Sequence, residues 1–285
     1  MFDLQEQSPL SYFKQLSPTH RFGKVLETTI EKSHPLPSAL NPDSIKVLSW
    51  NIAKNNHDRQ WSQDFLAIVE LYQPDKIFLQ EVRLCAIAQS GADAIARQIP
   101  ELASMGWVFA PNLIDTFDNT YSGVLTATKA DRLQSKVQIT KHQEPVTGTP
   151  KVSLFVELDL GNDRETLLSV NTHLINFVET SKFQHQLEQI EATIEQHRGA
   201  VIFLGDFNTW NRYRWKLLLQ MAEKLNLNPV TFSPLEAQKI KRFFLSPPLD
   251  YIFYRGLKQK IASAKVIDNI SSSDHNPLLV EFYLS

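Results

Sequence analysis

KVLSWNIAKNNHDRQWSQDFLAIVELYQPDKIFLQEV, residues 46–82, reads as strand, helix and strand in succession. KVLSWNI (46–52) is rich in β-branched and aromatic residues, the composition of a buried strand. WSQDFLAIVELYQ (61–73) places Trp61, Phe65, Ile68, Val69 and Tyr72 at helical spacing, and Pro74 then stops the helix. KIFLQEV (76–82) restores the strand pattern. A β–α–β opening of this length predicts a right-handed crossover between parallel strands.

The rest of the chain continues in the same style. GVLTATK (123–129), VSLFVELDL (152–160) and TLLSVNTHL (166–174) predict further strands. In residues 181–197, Phe183, Leu187, Ile190 and Ile194 share one helical face, and AVIFLGD (200–206) follows as a strand. A helix is expected over 213–224, and LDYIFYRG (249–256) and PLLVEFYL (277–284) as strands. A small-residue stretch at 86–98 also reads as helical. No repeat or linker divides the chain. Residues 1–44 read as an extension holding a short helix, and residues 45–285 as one α/β domain.

Composition narrows the class. The 285 residues are 42% hydrophobic and 21% charged, which is globular and excludes a disordered chain. With 29 basic and 31 acidic side chains the formal charge is −2, which excludes a generally basic nucleic-acid coat but not a locally basic cleft. The single cysteine, Cys85, excludes a disulfide framework and a thiolate zinc site, and it reads as a small core residue. The opening residues carry acids and no long apolar run, so neither a secretory signal nor a membrane span is expected. The expected setting is a cytoplasmic monomer without a membrane or protein partner.

Polar residues fall where apolar runs end: Asn51, Glu81, His173, Asp206, Asp250, Asp274 and His275, with Asn208 just after Asp206. Each alone has an ordinary role as turn former, cap or solvated strand end. Together they are costly to bury unless they satisfy one another or hold an ion. Carboxylates and amides supply hard oxygen ligands suited to Mg²⁺ or Mn²⁺. Carboxylate–histidine pairs supply an oriented acid or base, and the combination suits hydrolysis of a phosphate ester.

The ordered series WNI, LQE, NTHL, GDFN, LDY and SDHNP, eight positions from Asn51 to His275, resembles the endonuclease/exonuclease/phosphatase superfamily (DNase I-like). Within it, the WNI-x-K start, the LDYIFYRGL segment and SDHNPLLVEF are similar to the YafD-like bacterial branch. The resemblance implies a four-layer α/β sandwich, two packed mixed sheets flanked by helices, with the cleft at one end. It implies that Glu81 with Asn51 holds the divalent metal, Mg²⁺ or Mn²⁺. Asp206 would orient water, and Asn208 would contact that water or the phosphate. Asp274 would polarise His275, as base or phosphate contact, and Asp250 would pair with His173, as acid or transition-state stabiliser.

WNIAKNN and the His173 motif depart from the abasic-site branch. FLGDFNTW and SPPLDY depart from the 5-phosphatase pattern. What remains is a phosphodiesterase or nuclease, with a small-metabolite phosphomonoesterase or a non-catalytic binding protein as alternatives. The expected partner is a phosphate-ester substrate, with nucleic acid as a candidate. TWNRYRWK, with Trp210, Arg212 and Arg214, interleaves aromatics and cations as a substrate-contacting segment would. Lys239, Lys241 and Arg242 read as a solvated loop.

Overall fold

The computed structural model describes residues 22–23, 27–33, 39–85, 98–145, 148–160 and 166–284. The helix expected at 86–98 lies outside these residues except at its last position. Strands β1 (Phe22–Gly23), β2 (Ile30–Lys32), β3 (Ile45–Asn51), β4 (Lys76–Cys85), β5 (Gly106–Asp115) and β6 (Thr120–Thr128) join the first sheet. Then come β7 (Arg132–Gln143), β8 (Pro150–Asp159), β9 (Thr166–His173), β10 (Ala200–Asp206), β11 (Asn228–Pro229) and β12 (Asp250–Arg255), which make the second. The chain returns to the first sheet with β13 (Leu257–Gln259), β14 (Lys265–Val266) and β15 (Leu278–Leu284). Among the described residues the first sheet has nine strands, along a path β1-β5-β6-β4-β3-β15-β13, and the second six, in the order β11-β12-β10-β9-β8-β7.

Helix α1 (Arg59–Tyr72) starts where the Asp58 side chain accepts the Gln60 N–H, and it ends at Gln73 in the left-handed region. Its Trp61, Phe65 and Ile68 pack on Leu48, Trp50, Ile77 and Leu79, the outer face of the first sheet. Helices α2 (Thr180–Gln196) and α3 (Arg212–Lys224) cover the outer face of the second, where Phe183, Leu187 and Met221 meet Val170, Phe203 and Phe253. Val47, Phe78, Leu154, Ile202, Ile252 and Val280 fill the space between the sheets. The result is the expected helix–sheet–sheet–helix sandwich. β3 and β4 run parallel across α1, and β9 and β10 run parallel across α2. Among the described residues no helix is long and apolar enough to cross a membrane.

Side chains alternate along a strand, so the face that is apolar in mid-strand decides what points inward at its end. β3 presents Val47 inward, then Ser49 and Asn51. β10 presents Ile202 and Leu204, then Asp206. β9 presents Leu167, then Ser169, Asn171 and His173, and β12 starts inward at Asp250 before Ile252. The polar ends of these strands therefore meet between the sheets at one end of the sandwich.

A buried polar bridge fixes how the sheets sit. Gln80 Nε2 donates to Asn171 Oδ1 at 2.8 Å, and Asn171 Nδ2 donates to the carbonyls of Leu125 (2.9 Å) and Leu79 (3.2 Å). Beside it, the pairing of β4 with β6 slips between Leu79 and Val82, and Glu81 sits at φ +54°. This bulge re-aims Glu81 toward the polar end. Gly205 is required by close approach: with φ +138°, a Cβ there would stand 1.9 Å from the Thr172 carbonyl oxygen.

The stretch before residue 45 is more than an extension. β1 and β2 both pair with β5, and Leu40 is buried in the intersheet core. Glu31 on β2 forms an ion pair with Arg132 and accepts from Ser135. The described part of this stretch shows these short strands and no helix.

Candidate active site

Asp206 is the hub. Its Oδ2 accepts from Asn51 Nδ2 at 3.0 Å and lies 3.6 Å from His173 Nε2 and 3.9 Å from His275 Nε2. Its Oδ1 accepts the Asn208 N–H at 3.0 Å, made possible by Asn208 at φ +49°. β9 and β12 flank β10, and register places His173 and Asp250 beside Asp206. Burial, with the charges of Asp250 and Glu81, pushes the Asp206 carboxyl up to about 7 against the pull of His275 and the Asn208 amide.

His275 arrives from the first sheet's side. Trp50 Nε1 donates to its carbonyl (2.8 Å), and Ser273 Oγ donates to the Asn51 carbonyl (2.7 Å), stitching the loop to β3. His275 Nδ1 lies 2.7 Å from Asp250 Oδ2. Burial alone would depress this imidazole, but Asp250, by charge and hydrogen bond, then Asp206 and Asp274 by charge, push it up to about 10. His173 goes the other way. Burial, and then the positive charges of Lys151, His275 and Lys54, hold it well below its ordinary value.

The pairing expected from sequence changes here. Asp250 pairs with His275, not with His173, and Asp274 turns away to Lys241 Nζ at 3.1 Å with its side chain 63% exposed. The chain bends through residues 272–275, carrying the Asp274 side chain outward while His275 faces the hub. His173 finds Asp206 and, at 3.9 Å, Glu81 Oε1 instead. Asn208 has one amide hydrogen committed to the Leu174 carbonyl at 2.8 Å.

Arg214 is also corrected. It is fully buried, donates to the carbonyls of Ile175, Asn208 and Val178, and lies over the Phe183 and Trp210 rings. It holds the loops behind the site and does not reach a substrate. Trp210 is half-buried, its Nε1 donating to Asn176 Oδ1 at 2.8 Å, whereas Arg212 is exposed at the start of α3. Cys85 is exposed at the end of β4, not in the core.

A cleft of about 200 Å³ adjoins Glu81 and His173, lined also by Lys54, Ser122, Glu144 and Lys151. Lys151 Nζ lies 3.3 Å from Glu144 Oε1, both side chains nearly buried. The sequence reading misses this pair; only the position of Lys151, just ahead of a strong strand pattern, hints at it.

Oxygen donors at the site suit a hard cation. Among the described residues the Glu81 carboxylate accepts no hydrogen bond, and the inward Asn51 Oδ1 accepts only the Ala53 N–H. No group of three or more His, Cys, Asp and Glu placed to hold an ion occurs among the described residues. One carboxylate and one amide oxygen suit a hard divalent cation that takes its other ligands from water and substrate.

The model of the Endonuclease/Exonuclease/phosphatase family matches residues 48–275, from β3 to the histidine that meets Asp250. The chain belongs to this family. Within the endonuclease/exonuclease/phosphatase family it is similar to the UPF0294 proteins, the YafD-like branch. It is 34% identical to the UPF0294 protein of Vibrio parahaemolyticus over 244 residues, covering 85% of this chain and 78% of the relative. With that of Klebsiella pneumoniae it shares 33% over 257 residues, covering 87% and 86%. Solved structures of the same fold include a family protein from Beutenbergia cavernae (TM-score 0.65, 17% identity, 85% of this chain and 72% of that one). Another is the human Nocturnin catalytic domain with bound sulfate anion (TM-score 0.60, 18% identity, 90% and 98%).

Proposed function

We propose that the chain is a divalent-metal-dependent phosphodiesterase that hydrolyses its ester by attack of water on phosphorus. The observation that carries this reading is the ring around Asp206. One buried carboxylate is met by Asn51, His173, His275 and the Asn208 amide, with Glu81 close by. Members of the family hydrolyse phosphate esters, and this arrangement supplies each group such a reaction needs.

Glu81, with Asn51, would hold Mg²⁺ or Mn²⁺, which when bound supplies positive charge to the phosphoryl oxygens. Asp206 orients the attacking water and takes its proton at Oδ2, with Asn51 and Asn208 fixing the carboxylate. Asp250 keeps His275 as an imidazolium at neutral pH, a donor at Nε2 for a phosphoryl oxygen. His173, neutral at the same pH, makes a second polar contact at Nε2. Lys151 is neutralised by Glu144.

Initial rates on bis(p-nitrophenyl) phosphate and p-nitrophenyl phosphate, with Mg²⁺ or Mn²⁺ and with EDTA, test the reading. Diester turnover that EDTA abolishes is expected. Monoester turnover alone would move the assignment to a phosphomonoesterase. Asp250→Asn should lower the diester rate about 100-fold by releasing His275, and Asp274→Asn less than about 5-fold. The reverse order would overturn the assigned pair.

A further inference from the structure

The loop between α4 (Pro234–Lys239) and β12 leaves the catalytic end of the sandwich bearing three large apolar side chains in a row. Phe243 is 47%, Phe244 93% and Leu245 84% exposed. The tip is held, not frayed. Phe243 N–H donates to Ser246 Oγ (2.9 Å) and Ser246 N–H to the Phe243 carbonyl (3.0 Å), closing a turn. The loop's ends are tied by the Leu249 N–H to the Lys241 carbonyl at 2.9 Å, and Thr209 Oγ1 fastens the Pro248 carbonyl. Leu245 sits at φ +57°, an uncommon conformation for a bulky residue, and it is kept there with its side chain in solvent.

The base of this loop is part of the site. Leu249 precedes Asp250, and Lys241 pairs with Asp274 next to His275. Neighbouring loops at the same end carry Phe177, 64% exposed after His173, and Tyr213, 59% exposed after Asn208. An outward apolar tip beside a reaction centre costs solvation in water and gains only against an apolar medium.

The charges decide which medium. A polyanion needs free cations to track its phosphates. Here Lys239 is bound to Glu236 and Asp268 and Lys241 to Asp274, so among the described residues Arg242, which donates to the Ala237 carbonyl, is the single cation of this loop without a carboxylate partner. What the loop offers is apolar area with its nearby lysines neutralised, on a convex turn and not in a groove. A lipid surface takes a convex apolar tip at the headgroup–acyl boundary without needing net positive charge. We propose that the Phe243–Ser246 turn seats the protein on a lipid surface, with Phe244 and Leu245 inserted and the catalytic end facing the headgroups.

This goes beyond the phosphodiesterase reading and does not depend on turnover, because its test reads binding. Flotation of the full chain with phosphatidylcholine vesicles, and with vesicles containing phosphatidylglycerol, should recover the protein with both. The double variant Phe244→Ser/Leu245→Ser should bind at least about tenfold less, in line with the apolar area removed. Its thermal midpoint should be unchanged, since both side chains are in solvent. Failure of the wild type to float with either vesicle, or equal flotation of the variant, overturns the proposal. So does binding of single-stranded oligonucleotide that the same variant loses in the absence of vesicle binding, which would make the tip a base-stacking surface. A dimer in light scattering that the variant converts to monomer, again without vesicle binding, would make the tip a contact between copies and equally overturn it.

Discussion

Asp206→Asn abolishes turnover and leaves a protein that melts higher than the wild type in the absence of metal. The carboxylate is 3% exposed, and burial pushes its pKa up to about 7 from 3.8. A group whose native pKa is raised above its unfolded value binds more protons in the native state between the two values. Stability therefore falls as pH rises from about 4 to about 7, and above 7 the full cost of the buried charge is present. An asparagine keeps the shape and its Oδ1 still accepts the Asn208 N–H; its Nδ2 then faces Asn51 Nδ2, so that hydrogen bond is lost at every pH, while the buried charge is gone. A gain of several degrees near pH 7.5 is expected, vanishing near pH 4. On the proposed reading the diester rate should drop by about 10³-fold or more, since the water would lose its base and its orienting group together. A variant whose melting point relative to the wild type does not rise between pH 4 and pH 7.5, or that retains a tenth of its rate, would show that Asp206 is not the hub.

The second large effect lies at the opposite end of the sandwich. Lys76 opens β4 on the inward face, is fully buried, and its Nζ has no hydrogen-bond partner among the described residues. Its ammonium lies over the Phe78 ring at 5.3 Å, and burial pulls its pKa from 10.5 down to about 7. Here the native value is depressed, so the unfolded chain binds the extra proton between pH 7 and 10.5. Stability then rises with pH across that window, and the full penalty applies below it. Lys76→Met keeps length and removes the charge. It should stabilise the protein at pH 6 by on the order of 3 kcal/mol and by much less at pH 10. Urea unfolding at the two pH values reads this directly, and parallel wild-type and variant curves would refute the buried ammonium.

The sequence made the layers and most of the site legible because both follow from short-range alternation. Val47, Ser49 and Asn51, or Ile202, Leu204 and Asp206, declare an inward face that turns polar at its end. What alternation cannot declare is which inward group meets which across the sandwich. The sequence reading gives His275 to its neighbour Asp274 and His173 to Asp250, and only with β12 laid beside β10 does Asp250 meet His275. The burial of Arg214 is similarly long-range, since its three carbonyl partners come from loops after two different strands. Lys76 reads as an ordinary polar start to a strand, and Cys85 as a small core residue, because neither pattern says what covers the two ends of β4. β5 and β7 are missed for a related reason: Gly106, Pro111 and Asn112 interrupt one, and polar residues fill both faces of the other.

The chain order of the site bears on synthesis in the cell. Asn51 and Glu81 emerge early on the first sheet, His173, Asp206 and Asp250 follow on the second, and His275 comes after fourteen of the described strands have passed. The Gln80–Asn171 bridge can close only once β9 exists, so the two halves have no fixed alignment before that point. A ribosome-bound chain thus carries an acidic half-site that lacks its imidazolium until nearly everything else has been made. On the proposed reading, hydrolysis by this site waits on the order in which its residues are translated.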